Sequence, residues 1–164
     1  MVYMIACIGK NRAMGLKGKI PWKLPVDIEQ FHQKVSGHTD IMGANTFKAY
    51  QTTKPSGNKW IVVTHEPTTV PPPAIAATSI EEALEMSKND GDIYVEGGGQ
   101  IFRLAMPYAD VIYLTEIDHE YEADTFFPEL DPNEWELAES HEGHDDTFEY
   151  PFKFNMYRRK RVEQ

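Results

Sequence analysis

A single cysteine, Cys7, is the chain's whole thiol inventory, so no internal disulfide can form. That suits a reducing compartment and leads to the expectation of a cytoplasmic protein. Long apolar runs are also missing. The opening stretch, Met-Val-Tyr-Met-Ile-Ala-Cys-Ile-Gly, is short and is followed at once by Lys10, Asn11 and Arg12. It has neither a basic leader nor a small-residue cleavage pattern, and it reads as a first strand rather than a signal peptide. Basic residues are scarce: 16 Lys and Arg stand against 26 Asp and Glu, for a formal charge of −10. Such a surface repels phosphate backbones and anionic lipid, which argues against nucleic acid and membrane as partners. Any anionic ligand must then be met by a local cluster of donors. Neither internal repeats nor low-complexity tracts occur.

What is present is an ordinary globular composition. A hydrophobic fraction of 41% over 164 residues is enough for one packed core, so a single domain spanning 1–164 is expected. Nothing in the sequence requires more than a monomer. Strand patterns fall at 2–9, 40–43, 59–64, 74–77, 93–96, 111–117, 134–141 and 148–158, with helix patterns at 25–36, 44–50, 80–88 and 100–106. Strands alternating with helices predict an α/β fold with a mainly parallel sheet covered on both faces. The last two strands have no helix between them and should pair antiparallel. Ser79 followed by Glu82 is a capping box for the third helix, and Pro25 suits a first helical position. Asn89-Asp90-Gly91 is a helix stop, and the Thr/Pro-rich segment 67–73 reads as an extended surface loop.

Three constellations could carry chemistry. In Ile20-Pro21-Trp22-Lys23-Leu24-Pro25-Val26-Asp27, the carboxylate of Asp27 borders a helical stripe of Ile28, Phe31 and Val35. A carboxylate beside apolar side chains is costly to ionise, and it can accept two adjacent N–H donors from a planar ring. The bland reading is a first-turn aspartate favoured by the helix dipole. The Gly-punctuated loop 10–24 before it could close over a ligand, or be a plain connection. In Ile41-Met42-Gly43-Ala44-Asn45-Thr46 and in Tyr94-Val95-Glu96-Gly97-Gly98-Gly99-Gln100-Ile101-Phe102, a strand runs through glycine into a helix. Glycine lets the backbone approach a ligand, and free N–H groups at a helix start suit phosphate. Each alone could be only a turn. Neither is a G-x-G-x-x-G fingerprint, and together they suit the pyrophosphate of a dinucleotide.

Taken in order, further blocks join these: Met4 to Cys7, Gly15, Thr46-Phe47, Tyr113-Leu114-Thr115, and Glu122-Ala123-Asp124-Thr125-Phe126-Phe127-Pro128. The ordered set resembles the dihydrofolate reductases over essentially the whole chain. The resemblance implies an eight-stranded, mostly parallel twisted sheet with an antiparallel C-terminal strand and four flanking helices. It implies NADPH-dependent reduction of 7,8-dihydrofolate to 5,6,7,8-tetrahydrofolate in one-carbon metabolism, with antifolates as inhibitors. Asp27, Trp22 and Thr115 would take the catalytic positions. Ile5, Ala6, Asp27, Ile28, Phe31, Tyr50, Phe102 and Thr115 would meet the substrate. Cys7, Met14, Gly15, Ile20, Gly43, Asn45, Thr46, Thr64, His65, Gly97, Gly98, Gly99, Gln100, Ile101 and Phe102 would meet the cofactor, with a cis peptide at Gly97-Gly98. No metal is implied.

Three departures accompany the resemblance. Ala44 stands where many relatives carry an arginine for the cofactor's 2′-phosphate, with His65 as the substitute donor. Asn58 stands where an arginine clamps the folate tail, leaving Lys54, Lys59 or Lys34 to supply a point charge. Glu96 replaces an aliphatic residue beside the pterin site and leads to an expectation of altered antifolate sensitivity.

Other signals read as structure. His141-Glu142-Gly143-His144-Asp145-Asp146 is a solvated hairpin and not H-E-x-x-H. Arg158-Arg159-Lys160-Arg161 is a solvated end, Cys7 a buried inert thiol, and Ile101, Leu104 and Ala105 a core stripe. Two other functions stay open: a riboflavin-pathway pyrimidine reductase of the same fold, and a non-catalytic pterin or nucleotide binder.

Overall fold

The computed structural model describes residues 1–49 and 59–160. Among these, the strands are β1 (Val2–Ile8), β2 (Ala13–Gly15), β3 (Thr39–Gly43), β4 (Lys59–Val63), β5 (Ile75–Ala77), β6 (Ile93–Val95), β7 (Val111–Ile117), β8 (Thr125–Phe126), β9 (Trp135–Glu142) and β10 (Phe152–Arg159). The α-helices are α1 (Pro25–Val35), α2 (Ala44–Ala49), α3 (Ile80–Met86) and α4 (Gly99–Ala105). Eight strands form one sheet in the order β5-β4-β3-β6-β1-β7-β10-β9, while β2 and β8 make a separate antiparallel pair. From β5 to β7 all neighbours are parallel; β10 runs antiparallel to both β7 and β9.

The period-2 alternation of strand side chains explains how both faces are covered. Met4, Ile8, Ile41, Ile61, Ile112 and Leu114 pack with Ile80, Ala83, Ile101, Phe102 and Ala105, so α3 and α4 cover one face. Their neighbours in sequence point the other way. Ile5, Tyr94 and Tyr113 meet Val35 and Phe31 of α1, and Met42 and Val62 meet Phe47 of α2. Near-continuous apolar strands are what a sheet buried on both faces demands.

Local chemistry sets the element ends. Ser79 Oγ accepts from Glu82 N at 3.0 Å, whereas the Glu82 carboxylate takes the Thr78 hydroxyl at 2.8 Å, so only half of the capping box forms. Pro25 occupies the start of α1, as expected. The final strand begins at Phe152 rather than at 148, because Pro151 cannot donate to the ladder and Phe148 and Tyr150 turn into an aromatic cluster. The segment 67–73 is not wholly extended: Pro67–Thr69 forms a 3-10 turn and Pro72-Pro73 is a cis peptide. Arg159 is no solvated end either. It donates to the carbonyls of Ala109 and Met106 and stacks 4.4 Å over Trp135. Arg161, Tyr50, Lys54 and Asn58 lie outside the described residues.

Candidate functional site

The chain leaves β1 toward β3 in one direction, while the connection from β6 to β7 passes β1 in the other. In open α/β sheets, ligands bind outside the strand C-termini at such a switch point. A cleft of about 1160 Å³ lies there, lined by the ends of β1, β3, β4 and β7 and by residues just beyond β6.

One end of the cleft groups apolar side chains around the carboxylate of Asp27. Ile5, Ala6, Trp22, Asp27, Ile28, Phe31, Phe102 and Thr115 all line it. Asp27 stands in the first turn of α1, where its N–H donates to Leu24 O at 3.1 Å. Its Oδ1 accepts from the hydroxyl of Thr115, 88 residues further along the chain. Burial pushes the Asp27 carboxyl above the usual carboxylate range, against the opposing pull of hydrogen bonds from Thr115 and Cys7. Cys7, the register partner of Thr115, has its thiol pushed well up by burial and then by the Asp27 charge. It lines the cleft as a protonated, poorly nucleophilic group. The stripe of α1 is graded, with Val35 buried and Ile28 49% exposed, because its first turns face the cleft and not the core. For the same reason Leu104, expected in the core, is exposed and lines the cleft, while Ile101, Phe102 and Ala105 are buried.

The other end is built from two glycine turns packed together. Gly43 N donates to Gly97 O at 2.8 Å, and a Cβ on Gly43 would fall 2.9 Å from Ile101 Cγ1. The Gly97-Gly98 peptide is cis, and Gly97 sits at φ 114°, a conformation that side chains other than hydrogen rarely adopt. Gly43, Asn45, Thr46, Thr64, His65, Gly98, Gly99, Gln100 and Ile101 line this end, while Gly97 lies buried beneath.

The loop expected to close over the cleft is pinned across it. Met14, Gly15, Gly18, Lys19 and Ile20 line the cleft from this loop. Asp124 N donates to Gly15 O at 2.9 Å, and Asp124 Oδ2 accepts from Lys17 N at 3.0 Å. The Lys17 amide, and after it the Thr125 hydroxyl, hold the Asp124 carboxyl below the usual range. Sequence reasoning assigned Asp124 no role, since one acidic residue 107 positions from its partner carries no local signal.

Other expectations resolve differently. Lys34 Nζ lies 4.2 Å over the Tyr113 ring and both residues line the cleft, whereas Lys59 Nζ is held by Asp90 and Met86 O at 2.9 Å each and does not line it. Glu96 is buried and lines the cleft. His141 and Glu142 belong to β9, and His144 pairs with Asp146 at 2.8 Å. Among the described residues, no three metal-ligating side chains gather and no helix is long and apolar enough to cross a membrane.

Residues 1–159 match the family model described as dihydrofolate reductase. A dihydrofolate reductase of Bacillus subtilis is 35% identical over 98% of this chain and 95% of its own. One from Haemophilus influenzae is 31% identical over 96% and 98%. A solved Enterococcus faecalis dihydrofolate reductase, complexed with NADP(H) and RAB-propyl, superposes with a TM-score of 0.90 at 30% identity, covering 98% of this chain and 97% of that one.

Proposed function

We propose that this chain, which belongs to the dihydrofolate reductase family and is an NADPH-dependent oxidoreductase, reduces 7,8-dihydrofolate to 5,6,7,8-tetrahydrofolate through Asp27, Thr115 and Trp22. The observation that carries the assignment of roles is the Asp27–Thr115 pair, a carboxylate raised by burial at the apolar end of the cleft. Its free lone pairs accept the two neighbouring N–H donors of the pterin ring, fixing the ring's orientation. Raising the carboxyl's proton affinity favours protonation of N5, without Asp27 handing the proton over directly. Ile5, Ala6, Ile28, Phe31 and Phe102 exclude water around the ring, and Trp22 supports them from the loop side. Tyr50 joins the substrate wall in this reading.

NADPH supplies the hydride that reaches C6. The cleft suits two ligands, since about 1160 Å³ exceeds the roughly 300–1,000 Å³ of a single small-molecule site. The cleft-lining backbone of Gly98 and Gly99 with Asn45, Thr46 and Gln100 offers donors to its phosphates, and Thr64 with His65 meets the 2′-phosphate where Ala44 gives none. Met14, Gly15 and Ile20 cover the nicotinamide.

The protein acts as a cytoplasmic monomer on a small-molecule substrate and takes antifolates at the pterin end. The family match sets aside the pyrimidine reductase of riboflavin synthesis. A non-catalytic binder would take up NADPH without oxidising it.

Thr115→Val tests the pair directly. The lost hydrogen bond lowers the Asp27 pKa in the wild type, so the apparent pKa of the hydride step moves upward in the variant. kcat/KM for dihydrofolate falls about 10- to 100-fold, as expected for a hydrogen bond to a charged group. An unshifted profile with unchanged kcat/KM would contradict the assignment.

A further inference from the structure

The segments that follow β7 and β9 hold a set of rings that the proposed chemistry does not use. Tyr121, His119, Tyr150 and Phe148 do not line the cleft. Trp22 does, and Tyr121 packs against its outer side, with ring centroids 4.8 Å apart and planes tilted by 47°. Behind Tyr121, His119 approaches edge-on at 4.6 Å and stacks on Tyr150 at 3.8 Å and 15°. Phe148 meets Tyr150 edge-on at 6.0 Å and Phe152 at 5.8 Å, which roots the series in β10.

Hydrogen bonds to main-chain carbonyls fix this series to the loop over the cleft. Lys10 N donates to His119 O and Asn11 Nδ2 to Tyr121 O, each at 2.9 Å, and Asp118 N donates to Pro151 O at 2.8 Å. A Cβ on Gly9 would fall 2.8 Å from the Tyr121 ring and 3.1 Å from His119 O, so the close approach depends on glycine there. The hairpin turn reaches the same place from the other side, where Asp145 Oδ2 accepts from Val26 N at 3.2 Å in the first turn of α1. Offset and edge-to-face rings define each other's orientation more narrowly than aliphatic contacts do. Tyr121 is therefore the ring that meets the indole, and the neighbouring segments brace Tyr121 from behind.

We propose that Tyr121 is a positioning residue for hydride transfer, holding Trp22 against the cleft while the His119–Tyr150 stack holds Tyr121. This rests on the reductase reading and adds to it a group that touches neither substrate nor cofactor. The ring and not the hydroxyl does the positioning, so Tyr121→Phe should behave as wild type and Tyr121→Leu should not. His119→Leu, which removes the stack but leaves the Tyr121 ring, should fall between them.

The test is single-turnover hydride transfer, with enzyme preloaded with NADPH and mixed with saturating dihydrofolate below the melting temperature of each variant. Tyr121→Leu is expected to slow the step about tenfold, a modest share of the loss that misplaced reacting groups can cause. Its dissociation constant for NADPH should stay within twofold, which separates positioning from general loosening. Tyr121→Phe should remain within twofold of wild type throughout. A folded Tyr121→Leu with an unchanged step would overturn the inference, as would a Tyr121→Phe as slow as Tyr121→Leu. Should Tyr121→Leu fail to fold, an unchanged rate in His119→Leu would overturn it in the same way. A wild type that binds NADPH but transfers no hydride would instead overturn the reductase reading beneath it.

Discussion

Asp27 meets two opposed demands: it must accept hydrogen bonds as a carboxylate, yet it sits where burial disfavours charge. Its folded pKa is raised above the ordinary 3.8, chiefly by desolvation. The stability this group contributes is therefore fully present below the ordinary carboxylate pKa and lost as pH rises through the folded value. Asp27→Asn escapes that loss. Thermal melts of the two proteins from pH 3 to 8 should show the variant gaining on wild type as pH rises, and a gap constant with pH would contradict the burial account. At this scale the sequence was half legible. A carboxylate beside Ile28 and Phe31 makes Asp27 a candidate by spacing, with an ordinary first-turn aspartate as the other reading. Its partner Thr115 lies on a distant strand, and no local pattern links the two, so only the family resemblance pointed to it. Asp124 was passed over, and Arg159 taken for a solvated end, for the same reason: their partners are remote main-chain groups.

Among elements, the alternation of strands with helices was readable because apolar runs and helical stripes span several residues. β7 falls at 111–117 as expected, and most other ends move by one or two residues. The pair β2 and β8 was missed because two or three residues cannot show a period. Expecting Leu104 in the core failed because periodicity tells which face is apolar and not whether that face meets core or cleft. The glycine turn after β6 joins element to function. Gly97→Ala would force a side chain into φ 114° and put its Cβ 3.1 Å from the Phe102 ring. A cost of about 1–3 kcal/mol from the backbone alone is expected, read as a lowered denaturant midpoint, together with weakened NADPH binding. Wild-type stability and binding in that variant would mean that the turn tolerates a side chain and that its glycine is incidental.

For the whole molecule, the order β5-β4-β3-β6-β1-β7-β10-β9 gathers residues from Ile5 to Thr115 at one end of the sheet. Composition carries no information about this order, which depends on which strands meet and not on any one segment. The acidic balance of −10 leaves anionic ligands to local donors, which is why the glycine turns and the Thr and Asn side chains around them matter more than net charge. The central claim concerns the Asp27 carboxylate in that cleft. Its most direct test follows loss of NADPH absorbance with dihydrofolate across pH, in wild type and in Asp27→Asn. Wild type should turn over near neutral pH, while the variant collapses there and recovers in part in acid, where substrate arrives already protonated. Equal activity of the two at neutral pH would contradict the role given to Asp27, and absence of wild-type turnover would contradict the function itself.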